Sequence, residues 1–463
     1  MMDPIRLNYG NLVSPRVATG ISSEHLDGAL SKRFKEVMAA VDACRSAGDF
    51  GFFDLPYASE AAKQVVVLAE GCGQSFADVV VLGIGGSGLG ARTLRDALLG
   101  PAWNDCSSEE RGHYPRLHVL DNPDPETLGV LFAHINPAKT LFNVVSKSGE
   151  TVETLTQYLV ARDWVANSVG EENAIGHFLF TTDPNRGPLR HIAETEGVQT
   201  LPLPANVGGR FSVLSPAGLF PAAICGVDIK ALLRGAAHMD ERCRTYELKE
   251  NPAGVLASLL HKAHMEHGQK IHVLMPYADR LSSTSLWFQQ LWAESLGKHR
   301  SMDEEGHGTG PTPLAALGAT DQHSLLQLFM EGPRDKVVIF IKVEDHGSPM
   351  VIPDRHPGLK ELSYLGGSTM GELLAAEWRA TAEALRRAGC PNATIHIPAV
   401  RADAMGQLLM MLEIATVIAA ELYGVDPLGQ PGVELGKLLT YDLMGREGSE
   451  TPEIDDSDFR WFI

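Results

Sequence analysis

Two short segments carry residues able to hold a multiply charged anion. The run Val79-Val80-Val81-Leu82-Gly83-Ile84-Gly85-Gly86-Ser87-Gly88-Leu89-Gly90 passes from a β-branched stretch into a glycine-rich turn and then a helix expected to begin near Ala91. Glycines let backbone amides approach a ligand closely, and a helix amino terminus carries partial positive charge. The run Asn143-Val144-Val145-Ser146-Lys147-Ser148-Gly149-Glu150-Thr151-Val152-Glu153-Thr154 has the same plan with hydroxyls in place of glycines. Here Ser146, Ser148, Thr151, the ammonium of Lys147 and the amides of the next helix converge on one point. A hydroxyl cluster at a helix start often does no more than cap it. Two such turns at the carboxyl ends of parallel strands instead mark the crevice where open α/β sheets bind ligands. The pair therefore predicts a phosphate site containing Gly86, Ser87, Ser146, Lys147, Ser148 and Thr151.

Other chemistries fit these residues less well. Gly83, Gly85 and Gly88 satisfy the G-x-G-x-x-G pattern of dinucleotide sites, which also wants an acidic residue about 20 positions later. The first candidate here, Asp121, stands 33 positions after Gly88. No Lys-Ser or Lys-Thr follows the glycines, so the P-loop arrangement fails. His261, His264 and His267, followed by His272, suggest a metal, yet on a helix the outer two of the first three are rotated by about 120° from one another. They read as a helix end with favourable cations.

The pairing of G-I-G-G-S with S-K-S-G-E-T-x-E-T resembles the sugar isomerase domain that binds phosphosugars. Further segments follow: Val207-Gly208-Gly209-Arg210-Phe211-Ser212, Gln290-Leu291-Trp292-Ala293-Glu294-Ser295-Leu296-Gly297-Lys298, Gly318-Ala319-Thr320-Asp321-Gln322-His323-Ser324 and Gln430-Pro431-Gly432-Val433-Glu434-Leu435-Gly436-Lys437. In order and type, from residue 79 to 437, these resemble the motifs of the phosphoglucose isomerase family, with Pro431 where a tryptophan is usual. The resemblance implies reversible interconversion of D-glucose 6-phosphate and D-fructose 6-phosphate through a cis-enediolate, in glycolysis and gluconeogenesis.

Interconverting an aldose and a ketose phosphate needs a ring opener, a base that carries a proton between C1 and C2, and positive charge near the developing enediolate. Glu294 lies four residues after Gln290, so both face one way on a helix, and partial desolvation raises a carboxylate's basicity. It is assigned the proton transfer. Arg210 offers a permanent cation and, by resemblance, stabilises the enediolate. His323 can exchange protons with the ring oxygen near neutral pH, and Lys437, by resemblance, assists it. Gln290 and Gln430 are expected to contact the sugar or the backbone, and Glu153 to orient His323. The resemblance further implies that His323 reaches its site from the neighbouring subunit of a homodimer. An enediol mechanism requires no metal or organic cofactor, because Arg210 supplies the charge. A non-catalytic phosphosugar sensor would keep both anion turns but have no use for Glu294, His323 and Lys437. A hexosamine synthase would add an amidotransferase module with an amino-terminal cysteine nucleophile, and none is visible.

The elements that must position these residues follow from hydrophobic patterning. Short apolar runs at Val79 to Ile84, Leu117 to Leu120, Leu141 to Ser146 and Phe178 to Thr182 alternate with helical stretches. A second series comprises Lys270 to Met275, Val337 to Val343 and Thr394 to Ile397, with a helix at Pro252 to Glu266. Strands of this kind belong to parallel sheets covered on both faces. The expected architecture is α/β: two three-layer αβα sugar isomerase domains with parallel sheets, plus helical amino- and carboxyl-terminal additions. The divisions fall at residues 1–60, 61–205, 206–435 and 436–463, with glycine and proline clustered between Gly208 and Asp228. Leu26, Leu30, Phe34, Val37, Met38 and Val41 predict an amino-terminal helix. Met405 to Tyr423 is apolar on nearly every face, as in a helix that is either buried in the monomer or covered by a second subunit.

Composition closes off other classes. The 463 residues include 58 acidic and 39 basic side chains, a formal charge of −19, without the basic tract a nucleic acid requires. At physiological salt the Debye length is about 8 Å, so Lys147, Arg210 and the helix starts, not the net charge, govern capture of an anionic sugar. No signal-peptide pattern or membrane span is expected, and six scattered cysteines suit a reducing cytoplasm. The tail from Gly448 is acidic and then aromatic, suited to a solvated arm whose aromatics dock on a neighbour.

Overall fold

The structure is a computed structural model and describes residues 3–72, 75–299 and 308–446. The tail from Gly448 lies outside the described residues. The chain opens with a short strand, β1 (Arg6–Asn8), followed by helices Ser31–Ala47 and Ser59–Cys72. The first sheet then forms from β2 (Asp78–Leu82), β3 (Arg116–Leu120), β4 (Thr140–Ser146), β5 (Phe178–Thr182) and β6 (Gln199–Pro202), in the order β3-β2-β4-β5-β6. Every pairing in it is parallel. All five residues of β2 and β5 and all seven of β4 are buried, as strands covered on both faces must be. From β2 the chain moves to one side to form β3 and then crosses to the other for β4, so the order reverses between β2 and β4. Leu82 pairs with Val144, which brings the two anion turns together as they leave the sheet.

The second sheet contains β7 (Ile271–Pro276), β10 (Thr312–Ala315), β11 (Lys336–Asp345) and β12 (Asn392–Ala399), all parallel, in the order β1-β12-β11-β7-β10. β1 closes its edge antiparallel to β12, so the amino-terminal segment is not purely helical: it contributes to the far sheet. A small ladder, β8 (Lys298–His299) with β9 (Gly308–Thr309), follows helix Ser282–Leu296. Gly208 to Asp228 is packed structure, since helix Pro216–Ile224 is almost wholly buried and lies on helices Ser59–Cys72 and Gly86–Leu94.

Helix Ala402–Tyr423 is the one described helix long and apolar enough to cross a membrane, and it is buried within the chain. Helices Ile229–Arg242, Pro252–His267, Ser282–Leu296 and Ser31–Ala47 surround it, so its apolar faces are core and not a subunit interface. A Cβ at Gly406 would stand 1.9 Å from the carbonyl oxygen of Leu232, so only glycine permits this crossing.

Glu413 lies in the same helix, fully buried, and neither carboxyl oxygen has a hydrogen-bond partner among the described residues. Burial raises its pKa well above the ordinary carboxylate value. The native chain thus keeps a proton that the unfolded chain releases. Stability falls as pH rises above the unfolded carboxylate range and goes on falling until the folded pKa is passed. Glu413→Met is expected to stabilise the fold by about 1–3 kcal/mol near neutrality, with a smaller gain at pH 5. Denaturant unfolding midpoints at pH 5 and pH 8 check this, and an equal gain at both would contradict it.

Candidate active site

Both anion turns begin helices that lack a side-chain cap. Helix Gly86–Leu94 starts at Gly86, not near Ala91 as expected from sequence, and its N-cap is Gly85 at φ 59°. The helix starts early because its glycines allow its first turn to press on a neighbour. A Cβ at Gly86 would lie 2.2 Å from the carbonyl of Gly209 and 2.6 Å from the nitrogen of Arg210. Helix Val152–Val169 has Thr151 as N-cap, yet the Thr151 hydroxyl bonds the Ser146 hydroxyl at 2.9 Å and caps nothing. Its first-turn amides are left for an anion. Ser146 Oγ also accepts from the Gly149 amide at 3.1 Å, and Ser148 Oγ from the Glu150 amide at 3.2 Å, which shapes the cup. Ser87 and Thr151 are half-buried, and Ser148 is exposed. Half-buried Lys147 has its pKa lowered, first by burial and then by Arg186 and Arg210, while Asp183 opposes them. A dianion would relieve that crowding of positive charge.

Arg210 lies beside both turns, its side chain 1% exposed. Nε donates to Ser295 Oγ at 2.8 Å, Nη1 donates to Glu294 Oε2 and to Gln430 Oε1, each at 3.0 Å, and Nη2 donates to the carbonyls of Pro427, Leu428 and Gly429. The resemblance implies a cation that stabilises the enediolate; here the guanidinium donors are taken up by the protein itself. Arg210 therefore acts as a buried positive charge and as a scaffold. Burial lowers its pKa, and Glu294 opposes the shift; the guanidinium stays charged.

Helix Ser282–Leu296 presents Gln290 and Glu294 one turn apart, with Gln290 Nε2 donating to Glu294 Oε2 at 3.4 Å. A Cβ on Gly85 would lie 3.0 Å from Gln290 Nε2, which places this helix face against the first anion turn. Glu294 is 29% exposed. Its Oε2 is tied to Arg210 and Gln290, whereas Oε1 has no hydrogen bond among the described residues and is left to handle a proton.

The remaining expected residues lie at two distances from this cluster. Lys437 is exposed on helix Glu434–Leu443 and pairs with Glu434 at 2.8 Å. Tyr441, one turn later on the same face, donates to the Glu150 carbonyl at 3.4 Å, so this helix leans over the second anion turn. Glu153 lies in the first turn of helix Val152–Val169. His323 does not join the cluster in its own chain. It is exposed in the turn Thr320–His323, whose Gln322 donates to the Tyr277 hydroxyl at 2.7 Å, just beyond β7. Ser285, near the start of helix Ser282–Leu296, donates to the Ala316 carbonyl at 3.3 Å. Glu294 lies nine residues further along that helix, roughly 13 Å at 1.5 Å per residue, and among the described residues no hydrogen bond joins it to His323.

The histidine group is otherwise engaged. His264 Nδ1 bonds the Tyr423 hydroxyl at 2.8 Å, and His272 Nδ1 accepts from the Trp292 indole at 3.0 Å. Burial drives the His272 pKa down to about 3, which keeps this ring neutral. Two contributors escaped assignment from sequence, Ser295 and Lys298. Both stand in the same run, one and four residues after Glu294, and that proximity was the available signal.

Comparison with known proteins identifies the family. Residues 68–458 match the family model "Phosphoglucose isomerase". The chain is 42% identical over 448 residues to the glucose-6-phosphate isomerase of Carboxydothermus hydrogenoformans, covering 96% of each. With that of Rubrobacter xylanophilus it shares 46% identity over 399 residues, 86% of this chain and 90% of the relative. Among solved structures, a hypothetical protein from Thermus thermophilus superposes with a TM-score of 0.83 at 37% identity, covering 96% of this chain and all (100%) of that one. A glucose-6-phosphate isomerase from Chlamydia trachomatis shares the fold, at TM-score 0.73 and 24% identity over 84% of this chain and 73% of its own. The chain belongs to the phosphoglucose isomerase family.

Proposed function

We propose that this chain interconverts D-glucose 6-phosphate and D-fructose 6-phosphate, a step of glycolysis and gluconeogenesis, with the residues named above in the roles their chemistry suits. The 6-phosphate sits between the uncapped turns, on Gly86, Ser87, Ser146, Lys147, Ser148 and Thr151. His323 of a second copy, oriented by Glu153 and assisted by Lys437, gives a proton to the ring oxygen as the C1–O5 bond breaks, while the C1 hydroxyl releases its proton to water and becomes the carbonyl. Glu294 Oε1 then removes the proton from C2 of the open aldose and returns it to C1, while the proton of the C2 hydroxyl passes to O1, so that the C2 oxygen ends as the ketose carbonyl. Between these events the enediolate oxygen carries the negative charge, next to the buried Arg210 cation. Gln290 and Gln430 hold the sugar and the catalytic groups in register.

One observation carries this reading: Glu294 is fixed by Arg210 at 3.0 Å while its other oxygen has no hydrogen bond among the described residues, on a helix face that abuts an anion turn. A phosphosugar sensor would have no reason to hold a carboxylate this way. The functional unit is a homodimer, supported by the separation of His323 from Glu294 within one chain. The large apolar side chains exposed on one segment, among them Met350, Val351, Leu359, Leu362 and Tyr364, support it too. Six free cysteines accord with a reducing cytoplasm. The test is a coupled assay of fructose 6-phosphate conversion. Turnover is expected; tight binding of the sugar phosphate without conversion would favour the sensor.

A further inference from the structure

Lys298 follows the catalytic helix at the start of β8, which holds its backbone against β9. Its Nζ donates to the carbonyls of Asp426 and Gly429. Arg210 Nη2 donates to those of Pro427, Leu428 and Gly429, so two cations collect four successive carbonyls of one short segment. Asp426 closes the segment from inside, its carboxylate accepting the Leu428 amide at 2.8 Å and the Gly429 amide at 3.2 Å. The next residue, Gln430, is the one bound to Arg210 Nη1. Beyond it lies helix Glu434–Leu443, with Lys437 and the Tyr441 contact to Glu150. Segment Asp426–Gly429 is thus the covalent link between the core helix Ala402–Tyr423 and the groups that cover the second anion turn.

We propose that Lys298 is a positioning residue for the isomerisation: with Arg210 it grips Asp426–Gly429 and so fixes Gln430 and the carboxyl-terminal helix against the reaction centre. It acts through backbone carbonyls and touches no reacting atom. Keeping a second cation beside Arg210 is electrostatically costly. Burial and then Arg210 pull the Lys298 pKa down to about 8, against the opposing pull of Asp426 and Glu294. A lysine that served only solubility would sit in water at its ordinary value. The charge on this grip is therefore lost in mild alkali, whereas arginine in its place would keep it.

The inference rests on the isomerase reading, and one set of assays separates the two. Parent, Lys298→Met and Lys298→Arg are compared by steady-state kinetics on fructose 6-phosphate from pH 6.5 to 9.5, with thermal unfolding as the control for folding. Loss of the grip is expected to lower kcat about 10- to 100-fold, the scale of small misplacements of catalytic groups. KM should stay within about threefold, because the anion turns are untouched. Lys298→Arg is expected to recover most of kcat and to keep it above pH 8, where the parent declines. A methionine variant within twofold of the parent overturns the proposal, as does an arginine variant no better than methionine. Parent enzyme without turnover would overturn the isomerase reading instead.

Discussion

Glu294→Gln is expected to lower kcat by about 10²- to 10⁴-fold, the usual contribution of a positioned general base. Glutamine keeps the length of the side chain and an oxygen able to accept from Arg210 Nη1, so the scaffold around Arg210 should survive. It has no basic oxygen, so proton transfer between C1 and C2 is lost. The phosphate turns are built from other elements, so KM should change little, and the loss belongs to the transition state. Arg210 also loses the counter-charge that faces it at 3.0 Å. Its bonds to Ser295 and to three carbonyls remain, so only a modest fall in unfolding temperature is expected. Steady-state kinetics with thermal unfolding checks both parts. A folded Glu294→Gln variant within tenfold of the parent would remove Glu294 as the base.

Mixing two inactive variants should restore activity. In the proposed mechanism His323→Ala removes the ring-opening proton donor, and Glu294→Gln the base. If each site takes Glu294 from one chain and His323 from the other, a mixed dimer has one intact site. With random exchange of subunits, two-fold symmetry gives about a quarter of parent activity. If both groups came from one chain, neither site of a mixed dimer would be complete and no activity would return. The shared site is the proposed one: within a chain, Ala316, in the segment leading to His323, contacts the start of helix Ser282–Leu296, while Glu294 lies near its end. The check is activity after denaturing and refolding the variants together, against each refolded alone. Recovery no greater than the sum of the two would contradict a shared site.

The anion turns were legible because their chemistry is written in residue type. Glycine has few other reasons to recur at Gly83, Gly85, Gly86 and Gly88, and hydroxyls at Ser146, Ser148 and Thr151 flank the only lysine of their turn. The central strands were legible as near-continuous apolar runs. The short strands β1, β6 and β10 were not, because runs of three or four residues with polar neighbours carry little periodicity. The apolar helix Ala402–Tyr423 was ambiguous for a physical reason: a helix buried in its own chain and one buried by a partner present the same composition. The saturation of Arg210 was illegible, since three of its acceptors are backbone carbonyls, which every residue has. The same holds for Lys298. His323 could be identified from its motif, but its place depends on assembly, which local spacing does not encode.

The most direct test is a crystal structure with fructose 6-phosphate or a non-reacting hexose 6-phosphate analogue bound to the homogeneous protein. The phosphorus atom should lie between the Gly85–Gly86 turn and the Ser146–Thr151 turn, with Glu294 Oε1 within hydrogen-bond reach of C1 and C2 or the hydroxyls they bear. Phosphate bound elsewhere, or Glu294 turned away from the first two carbons, would contradict the assignment of this site.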